Sequence, residues 1–186
     1  GPRRPDVRRH RPRLAAWQRM MARVEAYIGL GSNLGDREAN LAAARRELAK
    51  LGRVTAESSV YETEPWGVKA PQPKYLNQAV CLGTGLQPRA LMRALLAIEA
   101  SMGRIRTGTA APRVIDLDLL LYGRAMTDTS GLTIPHPRMH LRAFVLVPLA
   151  EIAPELAVPG SGMTVRELAA GVGTAGVLRW AGGTDR

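Results

Sequence analysis

Pro112-Arg113-Val114-Ile115-Asp116-Leu117-Asp118-Leu119-Leu120-Leu121-Tyr122-Gly123 is an apolar run carrying two carboxylates and bounded by Pro112 and Gly123. Runs of Val, Ile and Leu between such breakers form buried strands. With a side-chain period of two, Asp116 and Asp118 share one face of that strand, their Cα atoms roughly 6–7 Å apart. Two carboxylates so placed repel each other unless something positive sits between them. A hard cation with oxygen ligands, above all Mg²⁺, answers that need and is often shared with substrate phosphates. A strand end with two solvated aspartates is the competing reading. The apolar residues that continue beyond Asp118 weigh against it.

Outward from this strand, the chain alternates between the two regular periods. Residues 24–30 predict a first strand, which runs into the glycine-rich turn Gly31-Ser32-Asn33-Leu34-Gly35-Asp36. Asp36 is placed to cap a helix over 37–51, with Leu41, Leu48 and Leu51 on one face and Gly52 at its end. A second strand is expected over 54–62 and a third over 75–83, antiparallel to it. Pro88 opens a second helix whose stripe is Leu91, Leu95, Ile98 and Met102, stopped by Gly103. The order β-α-β-β-α-β predicts an α+β fold, a ferredoxin-like sandwich with an antiparallel sheet. An apolar segment to Leu149 and a short helix near Thr164 to Ala170 add extra C-terminal elements. Residues 23–171 are expected to form one catalytic domain, with a frayed tail over 172–186.

The 186-residue chain is long enough for a sizeable core, and its 46% hydrophobic content is that of a folded globular protein. No apolar run has the length of a membrane span. The one cysteine, Cys81, excludes an internal disulfide and reads as a small buried thiol, so a cytoplasmic location is expected. The net charge of +10 is concentrated in residues 1–23, where eight arginines face Asp6 alone. The body is therefore only mildly basic, and nucleic acid is not the expected partner. Met20 and Met21 stand like alternative starts before the first strand, and residues 1–22 are expected to lie outside the fold as a disordered arm.

The chemistry gathers near the aspartate pair. Arg104, Arg106 and Arg113 lie in the loop that empties onto it. Guanidinium groups match phosphate oxygens with paired donors, so arginines beside metal-binding carboxylates are the footprint of a polyphosphate. By strand parity Arg113 faces away from Asp116, and it reaches the site only if the strand begins at about Val114. His136, held between Pro135 and Pro137, and Arg142 are further candidates, whereas His140 reads as structural. The glycines over 29–35 give only a weak phosphate-cradle signal, with no P-loop Lys and no acidic ribose contact at the usual distance. A long loop with Thr63, Pro65 and Trp66, followed by Tyr75 and Asn77, and the single Phe144, suggests a site for a flat heterocycle.

Four spaced motifs, Gly31-Ser32-Asn33-Leu34-Gly35-Asp36, Tyr75-Leu76-Asn77, Pro112 to Asp118 and Ile134-Pro135-His136-Pro137-Arg138-Met139, closely resemble the 6-hydroxymethyl-7,8-dihydropterin pyrophosphokinases of folate synthesis. The likeness runs in family order over about residues 24–170. It implies a kinase-type transferase that moves pyrophosphate from ATP to the pterin hydroxymethyl group, releasing AMP; a monomer is expected. It also implies that Asp116 and Asp118 hold two Mg²⁺ ions. Arg104 and Arg113 match arginines that engage the triphosphate and serve catalysis, and His136 and Arg142 match further phosphate contacts. Glu99, Leu119 and Thr133 fall at nucleotide-binding positions. Thr63, Pro65, Trp66, Tyr75, Asn77 and Phe144 match the pterin pocket, which Asp116 also borders, with Tyr75 and Phe144 as the stacking pair. Two departures stand out: Thr109-Ala110-Ala111 replaces a basic and a ring-bearing residue in a loop that should close over both substrates, and Gly131 stands where some members carry a basic side chain.

Two other readings compete. A nucleotidyltransferase also pairs a Gly-Ser turn with Asp-x-Asp, but its Gly-Ser lies shortly before the carboxylates, whereas Ser32 and Asp116 are separated by most of the domain. An RNA-recognition module shares the strand order but requires exposed aromatics on its central strands, and 114–121 carries none.

Overall fold

Strand β1, Val24–Ser32, is an interior strand of the sheet and pairs antiparallel with a strand on either side. The computed structural model describes residues 23–68, 70–105 and 111–182. After β1 come helix α1 (Arg37–Leu48), β2 (Arg53–Glu57), β3 (Tyr61–Thr63), β4 (Tyr75–Thr84), α2 (Pro88–Ser101) and β5 (Asp116–Tyr122). A hairpin of β6 (Thr127–Thr129) and β7 (Leu132–Ile134) follows, then α3 (Ala143–Ile152), α4 (Val165–Val172) and β8 (Val177–Arg179). The main sheet has the order β5-β1-β4-β3-β8, with β2 also paired to β4. Every pairing between these strands is antiparallel.

The period-two pattern divides each central strand between two cores. Ile28, Leu30, Leu76, Val80, Leu82, Leu117 and Leu119 face α1 and α2, meeting Leu41, Leu48, Leu91 and Leu95. Tyr27, Ala79, Cys81 and Leu121 face the other way, where Leu146 and Leu149 of α3 and Val165 of α4 cover them. The result is a sheet covered by helices on both faces. The two C-terminal helices cover only one end of their face. Beyond them the sheet presents Asn77, Gly31 and Asp116, which stand opposite one another across three strands, and next to them Ala79, Gly29 and Asp118. That uncovered end is the floor of the main cleft.

Several local expectations are met, and others are corrected. Asp36 accepts the Ala39 N–H at 2.9 Å as the cap of α1. Thr164 and Glu167 form a reciprocal capping box on α4. The single strand expected over 54–62 is instead two, interrupted over 58–60; there the Ser58 N–H donates to the Ala79 carbonyl, while its Oγ, in place of a backbone carbonyl, accepts the Ala79 N–H. Gly29 and Gly31 belong to β1 and not to a turn; in that motif the φ of +69° falls on Gly35. The apolar segment before Leu149 is helix α3. The tail expected to fray over 172–186 is held at 177–180, where β8 pairs with β3 and the Trp180 N–H donates to the Val60 carbonyl at 2.9 Å. Gly131 has φ +75° in the β6–β7 turn, a conformation that disfavours any side chain there, basic or not. No helix among the described residues is long and apolar enough to cross a membrane. Residues 1–22, Arg106, Thr109 and Ala110 lie outside the described residues, so the expectations about the arm and the closing loop do too.

Candidate active site

A cleft of about 390 Å³ opens over the uncovered end of the sheet. One wall is largely uncharged; Glu64, which also lines it, is exposed and paired with Lys74 at 3.2 Å. Thr63 ends β3, Tyr75 begins β4, and the two are register partners. Asn77 is buried and donates its side-chain amide to Thr63 Oγ1 at 2.7 Å, which fixes the amide's orientation. Trp66, half-exposed in the loop after β3, meets Phe144 at the start of α3 with ring centroids 6.4 Å apart and planes tilted by 56°.

The opposite wall is charged. Strand β5 begins at Asp116, not at Pro112, so Arg113 precedes the strand and escapes its parity. Its guanidinium reaches Asp116 Oδ2 at 3.2 Å and donates to the Tyr75 hydroxyl at 3.0 Å. Burial alone would depress the ionisation of Arg113, but Asp116 and Tyr75 outweigh it and the cation is favoured. Arg104 bridges Asp116 and Glu99. Glu99, fully buried on α2, also accepts the Leu117 N–H at 2.7 Å and so ties the helix to the strand beneath the cleft.

Asp118 is less well compensated. Arg142 lies 3.6 Å from one of its oxygens and His136 Nε2 lies 3.9 Å from the other. Burial, then repulsion from Asp116, pushes its carboxyl up to about 6 despite Arg142. His136 is held by its backbone, whose N–H donates to the Leu120 carbonyl of β5 at 2.8 Å. Burial and the neighbouring Arg142 and Arg138 lower the imidazole to about 4, so the ring is neutral near pH 7. Arg142 also lies over both Trp66 and Phe144, at 5.3 and 5.6 Å from their centroids, and joins the aromatic wall to the charged one. Its buried Nε has no hydrogen-bond partner among the described residues.

The carboxylate pair fits a hard divalent cation. Asp116 and Asp118 offer oxygen donors on one strand face, and their mutual repulsion is what a 2+ charge relieves. No group of three or more His, Cys, Asp or Glu residues is placed to hold a metal among the described residues. Two carboxylates completed by water and phosphate oxygens are the usual arrangement for Mg²⁺.

Of the residues singled out in the sequence, eleven line this cleft: Thr63, Trp66, Tyr75, Asn77, Arg104, Arg113, Asp116, Asp118, His136, Arg142 and Phe144. Four do not. Pro65 supports Trp66 as its chain neighbour, and Glu99 acts from below. Leu119 points into the opposite core, since it alternates with Asp118, and only its backbone could meet a nucleotide. Thr133 lies on β7, where its hydroxyl bonds Asp128. Asn33 carries a role the sequence did not disclose. Its Oδ1 accepts the Arg113 N–H at 2.8 Å while its Nδ2 donates to the Pro73 carbonyl at 3.2 Å, pinning both loops that flank the cleft. The Ser32-Asn33 turn was the available signal, but partners about 40 and 80 residues away cannot be read from it.

A family profile described as 7,8-dihydro-6-hydroxymethylpterin-pyrophosphokinase matches residues 27–154, which is well over half of the chain. The chain belongs to this family. A pyrophosphokinase of this family from Methylorubrum extorquens is 47% identical over 158 residues, covering 84% of this chain and 98% of its own. One from Pseudomonas aeruginosa is 41% identical over 165 residues, covering 88% and 99%. One from Bacillus subtilis is 46% identical over 136 residues, covering 70% and 79%. Among solved structures, Plasmodium falciparum HPPK-DHPS with pteroate superposes with a TM-score of 0.66 at 15% identity. That likeness is one of fold; it covers 80% of this chain, which spans only 44% of the longer Plasmodium chain.

Proposed function

We propose that this cleft is where the chain, an ATP-dependent 6-hydroxymethyl-7,8-dihydropterin pyrophosphokinase of folate biosynthesis, brings its two substrates together. One observation carries the reading: the neutral aromatic wall and the charged wall face each other across Gly31, which is register partner to both Asn77 and Asp116. A flat heterocycle on the first wall has its hydroxymethyl arm directed at phosphates on the second. Tyr75 and Phe144 supply ring faces, and Asn77 and Thr63 read the polar edge of the pterin. Trp66 and Pro65 close the outer side.

On the other wall, Arg104, Arg113, Arg142 and His136 bind the triphosphate; Glu99 holds Arg104 from below, and the nucleoside would lie beyond the cleft, towards the backbone of Leu119 and Thr133. In the reaction the pterin hydroxyl oxygen forms a bond to the β-phosphorus and the α–β bridging P–O bond breaks. AMP departs with the electron pair, and the hydroxyl proton is released to solvent. No side chain is assigned as general base. The residues' work is positioning and charge stabilisation, as in phosphoryl transfer generally. Asp116 and Asp118 would hold Mg²⁺, two ions in this proposal, and a bound metal would supply neutralisation of phosphate charge. His136 in its neutral form offers one N–H to a phosphate oxygen without adding charge.

The strand order, with the β5 and β4 positions flanking β1, supports a ferredoxin-like βαββαβ core within one catalytic domain over 23–171, to which α3, α4 and β8 are added. We place the enzyme in the cytoplasm as a monomer. The test is nucleotide analysis with Mg²⁺-ATP, with and without the pterin, on the wild type and Asp118→Ala. Pterin-dependent AMP that disappears in the variant is the expected result. Release of inorganic pyrophosphate would instead point to nucleotidyl transfer.

A further inference from the structure

Arg37 is the first residue of α1, where a cation opposes the helix dipole, and it is only 8% exposed. Arginine is rarely buried to this degree unless something holds it. Its Nη1 donates to Glu62 Oε2 at 2.8 Å and to the Lys74 carbonyl at 3.0 Å. Its guanidinium carbon stands 5.1 Å from the ring centroid of Trp180. Trp180 arrives there because β8 adds to β3 and the Trp180 backbone N–H donates to the Val60 carbonyl. The indole Nε1 is buried with no hydrogen-bond partner among the described residues. A buried tryptophan ordinarily satisfies that group. Trp180 therefore offers its ring face, not its polar tip.

Glu62 and Lys74 are the chain neighbours of Thr63 and Tyr75, which pair with each other across β3 and β4. Thr63 in turn orients the Asn77 amide. Arg37 thus grips both strands of this pair immediately behind the neutral wall of the cleft, without reaching into the cleft itself. Nothing about helix α1 alone requires a buried arginine at its first position.

We propose that Arg37, backed by Trp180 on the C-terminal strand, is a positioning residue that sets how tightly the neutral wall grips the flat heterocycle. The inference rests on the reading that this wall takes the pterin. It gives β8 a functional consequence: the chain's C-terminal strand tunes one substrate site through one buried cation.

The experiment compares Arg37→Met, Arg37→Lys, Trp180→Ala and Trp180→Phe in the full chain, with Asn77→Ala as a reference. Pterin binding is titrated by its fluorescence at saturating Mg²⁺ and α,β-methylene ATP, which blocks the bond that would break. Affinity for the ATP analogue is measured separately. Arg37→Met and Trp180→Ala are expected to weaken pterin binding about tenfold, the order of effect that small misplacement of binding groups produces. Analogue affinity should stay within about twofold. Arg37→Lys should recover part of the loss, since a point charge keeps the Glu62 contact but not the stacked plane. Trp180→Phe, which keeps a ring face, should bind like the wild type. Equal weakening of both ligands, or a lower melting temperature with both affinities unchanged, would overturn the proposal and leave Arg37 a structural brace. If Asn77→Ala does not weaken pterin binding, the assignment of this wall to the pterin fails, and the inference fails with it.

Discussion

The two walls of the cleft solve the problem of holding polar groups out of water in opposite ways. On the neutral wall, the Asn77 amide is already oriented within the protein before any ligand arrives: it donates to Thr63 Oγ1, and the two residues sit on paired strands. On the charged wall, Asp118 remains under-compensated, with its nearest cation at 3.6 Å and its carboxyl pushed up by burial and by Asp116. The first wall is preorganised for a ligand that brings little charge. The second is completed only by a ligand that carries charge of both signs, as a metal–polyphosphate does. The free protein should accordingly be rigid on one side and electrostatically strained on the other.

The largest expected effect tests the strained side. Asp118→Ala should lower kcat/KM by on the order of 10³-fold or more, because it removes a charge-stabilising element from the reacting phosphates. The same substitution should leave the metal-free protein no less thermally stable, since it relieves the repulsion with Asp116. A large fall in melting temperature without metal would show that the aspartate pair is not a source of strain, and the contrast between the walls would be lost.

Arg104→Ala separates structure from catalysis on the same wall. Glu99 would keep its buried carboxylate and lose a counter-charge. Breaking a buried ion pair from one side costs about 3–5 kcal/mol. Urea unfolding of the metal-free variant should register a loss of that order alongside weaker binding of ATP. Arg104→Ala with stability unchanged would mean that Glu99 is held by its strand contacts alone. On the neutral wall, Gly31→Ala should fold normally, because an added methyl would meet Asn77 Oδ1 at 3.4 Å and Tyr75 Cδ1 at 3.5 Å. It should nevertheless weaken pterin binding about tenfold, by occupying the floor on which the ring lies. Equal loss of ATP-analogue affinity would show that Gly31 does not divide the two halves.

Much of this contrast was legible in the sequence because it is written in local patterns. The period-two placement of Asp116 and Asp118, the Leu91–Leu95–Ile98 stripe and the cap at Asp36 are short-range signals, and short-range physics determines them. The cluster of arginines before the aspartates was legible for the same reason. What escaped is long-range. Strand pairing placed Gly31 between Asn77 and Asp116 and turned a suspected phosphate turn into the cleft floor. The late start of β5 let Arg113 reach Asp116 despite its parity. Trp180 lies in the tail expected to fray, and β8 brings it onto Arg37. Leu119 shows the converse, a motif position whose side chain the alternation sends into the core.

The smallest effect is the most direct reading of the charged wall in its free state. Burial, Arg142 and Arg138 hold His136 near 4, against 6.5 for an ordinary imidazole, while Asp116 pulls the other way. In the free protein the His136 resonances should therefore not titrate by NMR between pH 5 and 8, with His136→Asn providing the assignment. Between about 4 and 6.5 the unfolded chain takes up this proton and the native state does not, so this group makes stability rise with pH across that window. Asp118 acts in the opposite sense over nearly the same range, because its native pKa of about 6 lies above 3.8. The two contributions offset each other, and melting curves of the wild type will hide both. Asp118→Asn removes one of them, and in that variant stability should climb from pH 4 to 6.5. Adding a Mg²⁺-bound ATP analogue should then move the imidazole titration upward, since phosphate oxygens replace cations as its nearest charges. An imidazole that titrates near 6.5 in the free protein would mean that His136 is not held among the arginines, and the charged wall would not be poised for a polyphosphate before it binds.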